Sequence, residues 1–253
     1  WSYLPPLMVY LAAGVSGLTA IVGTFFIKDY LNLSAAFLAS LGFWAGLPWA
    51  LKMPLGHLVD LIWKHKAYLV GLGAAVIAVS LLIMYGLIGH TRFMASIMPV
   101  ETWFVTSVVL GPVGYVIQDV VADAMTVEAV PEQDENGNDI APDQLKIMHT
   151  TMQTLGRFAI IGGTVLVSLA NVIMFTDVDS LDAAARIDLY ADIYLYALII
   201  PVISIAGVVL ARLQHSYRNA RAQQVQHTAT SPNQQPEINW SILLGSLVFV
   251  VFS

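Results

Sequence analysis

Apolar residues gather in long runs separated by short polar connections, and each run is long enough to cross a bilayer. A membrane helix needs roughly 20 mainly apolar residues at about 1.5 Å rise each. Six segments meet that requirement, at 4–27, 34–62, 67–89, 101–127, 147–175 and 191–213. A seventh run opens at Trp240 and stops at Ser253, too short to span. None of the runs shows the alternation of short strands that a membrane β-barrel requires. Helices are the open-ended way to satisfy backbone groups in hydrocarbon. The pattern therefore predicts an all-α membrane protein: a six-helix N-terminal bundle plus the start of a seventh helix.

Two connections are long. Residues 129–146 are acidic, with Glu132, Asp134, Glu135, Asp139 and Asp143 around a turn-forming Asn136-Gly137. Residues 214–239 are rich in Gln, Asn, Thr and Pro and read as a flexible linker. The organisation expected is a bundle over 1–213, an inter-bundle linker over 214–239 and the beginning of a second bundle at 240–253. The chain starts at Trp1 and ends within an apolar run, so it is expected to be part of something longer.

Composition narrows the class. Of 253 residues, 57% are hydrophobic and 11% charged, with a mean hydropathy of +0.72. Soluble domains carry about 25% charged residues, so the polar coat of a soluble globule is missing. The absence of cysteine removes disulfides, thiolate metal sites and Cys nucleophiles. A formal net charge of −6 disfavours a nucleic-acid partner. No basic segment followed by a short apolar run marks a secretory signal.

Orientation follows Lys and Arg. With the N-terminus in the cytoplasm, the inner connections hold Lys64, Lys66, Lys146, Arg212, Arg218 and Arg221, and the outer ones Lys28, Arg92 and Arg186. The expected location is a bacterial inner membrane with a cytoplasmic N-terminus. Ser34 is expected to cap the second helix.

Ionisable residues inside spans are costly and point to function. Lys52, Asp119, Asp123 and Arg157 are the four. Counting from the cytoplasmic helix ends puts Lys52 about 12 Å deep, Asp119 about 14 Å, Asp123 about 8 Å and Arg157 about 15 Å. Asp119 and Asp123 share a helix face. Two carboxylates one turn apart repel when both are ionised, so one is expected to take a proton readily, as a proton-coupled carrier needs. The plainer alternative is structural: Asp119 paired with Arg157 or with Lys52, and Asp123 serving only as a cap. Lys52 lies between Pro48 and Pro54, which tend to bend a helix. A bent helix with a buried cation could line a cavity and meet an anionic group. Glu128 points away from Asp119 and belongs at the cytoplasmic surface.

Other features read as packing. Gly14, Gly17 and Gly23 in the first helix, and Gly162 and Gly163 in the fifth, permit close helix approach. The six histidines show no metal-ligand spacing, and no cofactor or metal is expected.

Between the second and third helices stand Gly56-His57-Leu58-Val59-Asp60 and then Lys64-His65-Lys66. This resembles the Gly-x-x-x-Asp plus basic signature of the major facilitator superfamily, with a stretched spacing after the Asp. Leu47-Pro48-Trp49-Ala50-Leu51-Lys52-Met53-Pro54-Leu55-Gly56 resembles the Pro-Trp-x-x-Lys-Pro-x-x-Gly stretch of the folate–biopterin transporter family, with Pro54 one position late. Asp119 to Glu128, an Asp-x-x-x-Asp-Ala-x-x-x-Glu run, is similar to that family's fourth-helix signature. Phe25-Phe26-Ile27-Lys28-Asp29 with Leu33-Ser34, and Met152 to Arg157, resemble it more loosely. The likeness covers most of residues 10–165. It implies a twelve-helix, proton-coupled carrier for folates or pterins. It makes Lys52, Asp119, Asp123 and Arg157 the substrate and coupling residues, and Gly56, Asp60 and Lys64 a conformational gate. The long loop 129–146 departs from the family's pattern.

The leading functional expectation is a secondary carrier, a symporter moving a small anionic organic solute by alternating access. Its partners would be lipid, the solute and protons, with Trp49 or Tyr115 stacking on an aromatic ring. The alternative is a non-transporting subunit or assembly factor of a larger membrane complex, with the loop and linker as docking surfaces. An enzyme is not expected. An intramembrane aspartyl protease would bring acids together from two helices and would show a Gly-x-Gly-Asp pattern, whereas here both acids lie on one helix.

Overall fold

The computed structural model describes residues 3–20, 22–23, 34–62, 66–134 and 137–223. Lys64, the Phe25–Asp29 motif, the linker from 224 and the seventh run at 240–253 lie outside the described residues. In chain order the helices are α1 (Leu4–Val15), α2 (Ala35–Ala50), α3 (Lys52–Leu61), α4 (Lys66–Gly89), α5 (Thr91–Ile97), α6 (Val100–Ala129), α7 (Pro142–Phe175), α8 (Ala183–Tyr196) and α9 (Ile199–Gln223). The 3-10 turn Ser16–Thr19 continues α1. Among the described residues there is no strand, only a single bridge between Gln133 and Asp139 in the acidic loop.

Four helical stretches are long and apolar enough to cross a membrane: Lys66–Gly89, Val100–Ala129, Pro142–Ser180 and Ala183–Gln214. The chain is thus an integral membrane protein whose outward surfaces meet lipid. Six uninterrupted spans are not what the described residues form. Leu4–Thr19 is an apolar helix, and residues 24–27 of the first expected span lie outside the described residues. The expected second helix is two helices, divided at Leu51. Its ψ of 1° leaves the α region, and Pro54 has no N–H to continue the ladder. The sixth span begins earlier than expected, because Asp182 caps α8 by accepting from Ala185 N–H, which draws Asp188 into the helix. Ser34 caps α2 through Phe37 N–H, as its position before the apolar run predicts.

Small residues set the closest crossings. On α4 and α6, a Cβ at Gly73 would sit 2.9 Å from the Gly114 carbonyl oxygen, and one at Gly114 would sit 2.8 Å from that of Gly73. A turn or two farther out, Ser80 and Ser107 each donate to the other's backbone carbonyl, at 2.8 and 2.9 Å. Gly14 of α1 and Gly163 of α7 form the second such crossing, where a Gly14 Cβ would lie 2.2 Å from the Ile160 carbonyl oxygen. Gly162, expected to pack as well, faces open space. Gln118 of α6 donates to the Val70 carbonyl on α4 at 3.4 Å and accepts from Ser204 of α9 at 2.9 Å. Because lipid supplies no hydrophobic drive between helices, close approach and interhelical hydrogen bonds hold such a bundle together.

These crossings give contrasting glycine substitutions. Gly14→Ala is expected to destabilise the protein by about 1–3 kcal/mol, the cost of forcing two packed backbones apart. Gly42→Ala meets nothing within 4 Å and should leave stability unchanged or raise it slightly. Thermal unfolding of the two variants in detergent, side by side, checks this.

Candidate substrate and coupling site

The break at Leu51 turns the chain so that Lys52, at the first position of α3, lies against α6. Its Nζ is 2.5 Å from an Asp119 carboxylate oxygen and 2.8 Å from one of Asp123. One cation therefore bridges two carboxylates that a single helical turn places on one face. The side chain of Asp119 is 13% exposed, that of Lys52 37% and that of Asp123 47%. The cluster is a stair from the packed interior to an open side of the bundle. Bare repulsion between the acids is relieved by the shared ammonium, so the pair is not the isolated dyad that their spacing alone suggests.

A residue that sequence reasoning passed over completes the group. Tyr10 of α1, buried, donates its hydroxyl to Asp123 Oδ1 at 2.5 Å. Its ring rests on α7 at Gly156, where a Cβ would come within 2.7 Å of Cε2. The signal was present: Tyr10 is a hydroxyl-bearing side chain in an otherwise aliphatic stretch of the first helix. A buried phenol of this kind usually finds a hydrogen-bond partner. Thr126 Oγ1 donates to the Asp123 carbonyl at 2.6 Å and remains a local contact.

The other expected site residues are arranged differently. Arg157 follows Gly156 and so lies near the same level, but it is exposed and forms no ion pair among the described residues. The Asp119–Arg157 pairing is not formed; Lys52 takes that place because α3 packs on α6 directly. Arg157 sits on an exposed stripe of α7 with Thr150, Thr154, Thr164 and Ser168. Those four hydroxyls bond carbonyls one turn back on their own helix. A shallow groove on this helix is lined by Lys146, Thr150, Thr154, Leu155 and Phe158, among others. Trp49 is exposed on α2, while Tyr115 is half-buried against the larger hydrophobic cluster.

At the other end, Gly56 lies over Val120 of α6, with room for a Cβ at 3.9 Å from Val120 Cγ1. Asp60 is exposed in the last turn of α3. Glu128 pairs with Lys66, joining the end of α6 to the start of α4, and takes no part in the Lys52 cluster.

The chain is similar over part of its length to a known transporter. It is 36% identical over 73 residues to a folate–biopterin transporter of Synechocystis sp., a match covering 27% of this chain and 15% of that protein. The matched stretch is thus a small part of the relative's length. No protein-family model matches the chain, and no solved structure does.

The bridge makes a stability prediction. Lys52→Met leaves two facing carboxylates without their cation and is expected to cost about 1–3 kcal/mol, less than the 3–5 of a fully buried pair because the group is half open to solvent. Adding Asp119→Asn and Asp123→Asn to Lys52→Met should recover most of that loss. Thermal unfolding of the single and triple variants in detergent gives the comparison.

Proposed function

We propose that this chain is the N-terminal half of a major-facilitator-type secondary carrier that moves a small anionic organic solute, folate- or pterin-like, in symport with protons. In this reading residues 1–213 form the first bundle, with the N-terminus in the cytoplasm of a bacterial cell. Residues 214–239 connect to a second bundle beginning at 240. The observation that supports it best is Lys52 held between Asp119 and Asp123 on a helix long and apolar enough to span a membrane. An ammonium satisfied by two carboxylates has one more acceptor than neutrality requires, so an incoming anion can compete for it if a proton replaces it on an acid. That exchange is the elementary step of proton–anion symport. The partial likeness to a folate–biopterin transporter supports the solute class.

Arg157 supplies a second cation. In hydrocarbon its exposure would be unfavourable. On a helix facing an aqueous path it is available to a carboxylate of the solute. The polar stripe of α7 accords with such a path, and Trp49 is placed to stack on a ring. Gly56 and Asp60, followed by Lys64, would form the gate at the cytoplasmic ends of the helices, beside the Lys66–Glu128 pair.

Uptake of radiolabelled folic acid into proteoliposomes under an imposed proton gradient tests the reading. Lys52→Gln and Asp119→Asn are each expected to abolish gradient-driven uptake, and uptake left intact in both would overturn the proposal. Arg157→Gln is expected to raise the half-saturating folate concentration about tenfold, one charge-assisted contact of about 1.4 kcal/mol.

A further inference from the structure

The two carboxylates beside Lys52 are not equivalent. Asp123 has two donors, Lys52 Nζ at 2.8 Å and the Tyr10 hydroxyl at 2.5 Å, and its side chain is 47% exposed. Asp119 has one among the described residues, Lys52 Nζ at 2.5 Å, and is 13% exposed. The charged and titratable groups that act on Asp119 are Lys52 from α3, Asp123 one turn on and Tyr10 from α1. If Lys52 turns to another anion, Asp123 keeps the tyrosine as its donor. Asp119, largely enclosed, keeps no donor among the described residues, and a carboxylate so placed without a partner is neutralised rather than left charged.

We propose that the acids divide the work: Asp119 takes up the proton when Lys52 engages an anionic solute, and Asp123, held by Tyr10, stays ionised as the fixed counter-charge. This deepens the carrier reading and rests on it. The proton comes from the aqueous side and adds to an Asp119 carboxylate oxygen as the Lys52 contact breaks. It leaves when Lys52 returns after the solute departs. Net charge at the cluster is conserved, since one anion and one proton arrive together for each monovalent carboxylate engaged. Tyr10 is a positioning residue. Its ring is fixed by the side-chain-free surface of Gly156, so its hydroxyl stays on Asp123 whichever partner Lys52 has.

Proton uptake on ligand binding reads this directly. Folic acid is added to the purified protein in lightly buffered detergent solution containing a pH-indicator dye. The wild type is expected to take up a proton on binding, Asp119→Asn to bind without uptake, and Asp123→Asn to retain uptake. The double variant Tyr10→Phe with Asp119→Asn is expected to regain uptake at Asp123, an outcome that a merely structural Tyr10 would not produce. Infrared difference spectra cover the case in which an Asn variant does not fold. Binding should raise a protonated-carboxyl band that Asp119→Glu shifts and Asp123→Glu does not. Uptake that survives Asp119→Asn, a band that follows Asp123→Glu, or a double variant still without uptake overturns the division of labour. A wild type that binds folic acid without taking up a proton overturns it too and leaves anion transport standing. A wild type that does not bind folic acid removes the folate reading and this inference together.

Discussion

A single ammonium shared by two carboxylates fixes the relation of α3 to α6. Without it, the two acids would face each other across one helical turn in a medium that punishes unpaired charge. With it, the segment after Leu51 is tied to a helix at the centre of the packing among the described residues, because α6 packs in turn on α1, α2, α4 and α7. Tyr10 extends the tie to α1, and its seat on Gly156 extends it to α7. Four helices thus converge on one polar cluster, whose geometry depends on every helix keeping its place.

Packing around that cluster is of the kind expected where solvent cannot drive association. Backbones meet at Gly73 and Gly114 and at Gly14 and Gly163, and buried polar contacts link Ser80 to Ser107 and Gln118 to Ser204. Each is short range and geometrically demanding. A bundle held this way tolerates rotation of a helix poorly at the crossings but readily where a face is bare, as along α7, which is the least covered of the four long spans.

Much of this was legible in the sequence, for physical reasons that differ from residue to residue. Hydrophobic run length located α4, α6 and α7 because lipid thickness imposes a minimum on each. Lys52, Asp119 and Asp123 stood out because charge is rare in such runs, and depth counting set Lys52 and Asp119 at one level. Choosing the partner was beyond sequence reasoning. Arg157 has similar depth, and only the rotation of α7, which turns Gly156 inward and Arg157 outward, removes it from the pair. Tyr10 was invisible to a search for charge because a phenol is neutral and at home in an apolar helix. The division at Leu51 was foreshadowed by Pro48 and Pro54 as a bend, but two prolines six residues apart do not say whether the ladder bends or parts.

At that division the ladder parts. Leu51 and Leu55 N–H still reach back four residues, to Leu47 and Leu51, but no such bond runs from Lys52 or Met53, and Pro54 has no hydrogen to give. The carbonyls of Pro48 and Ala50 therefore lack their helical donors beside the half-exposed Lys52. Peptide groups in that condition are not stable against acyl chains. The gap between α2 and α3 thus acts as a polarity marker: carbonyls left without helical donors are satisfied by water or by other protein and not by acyl chains, so the backbone itself carries polarity to the side of the charge cluster.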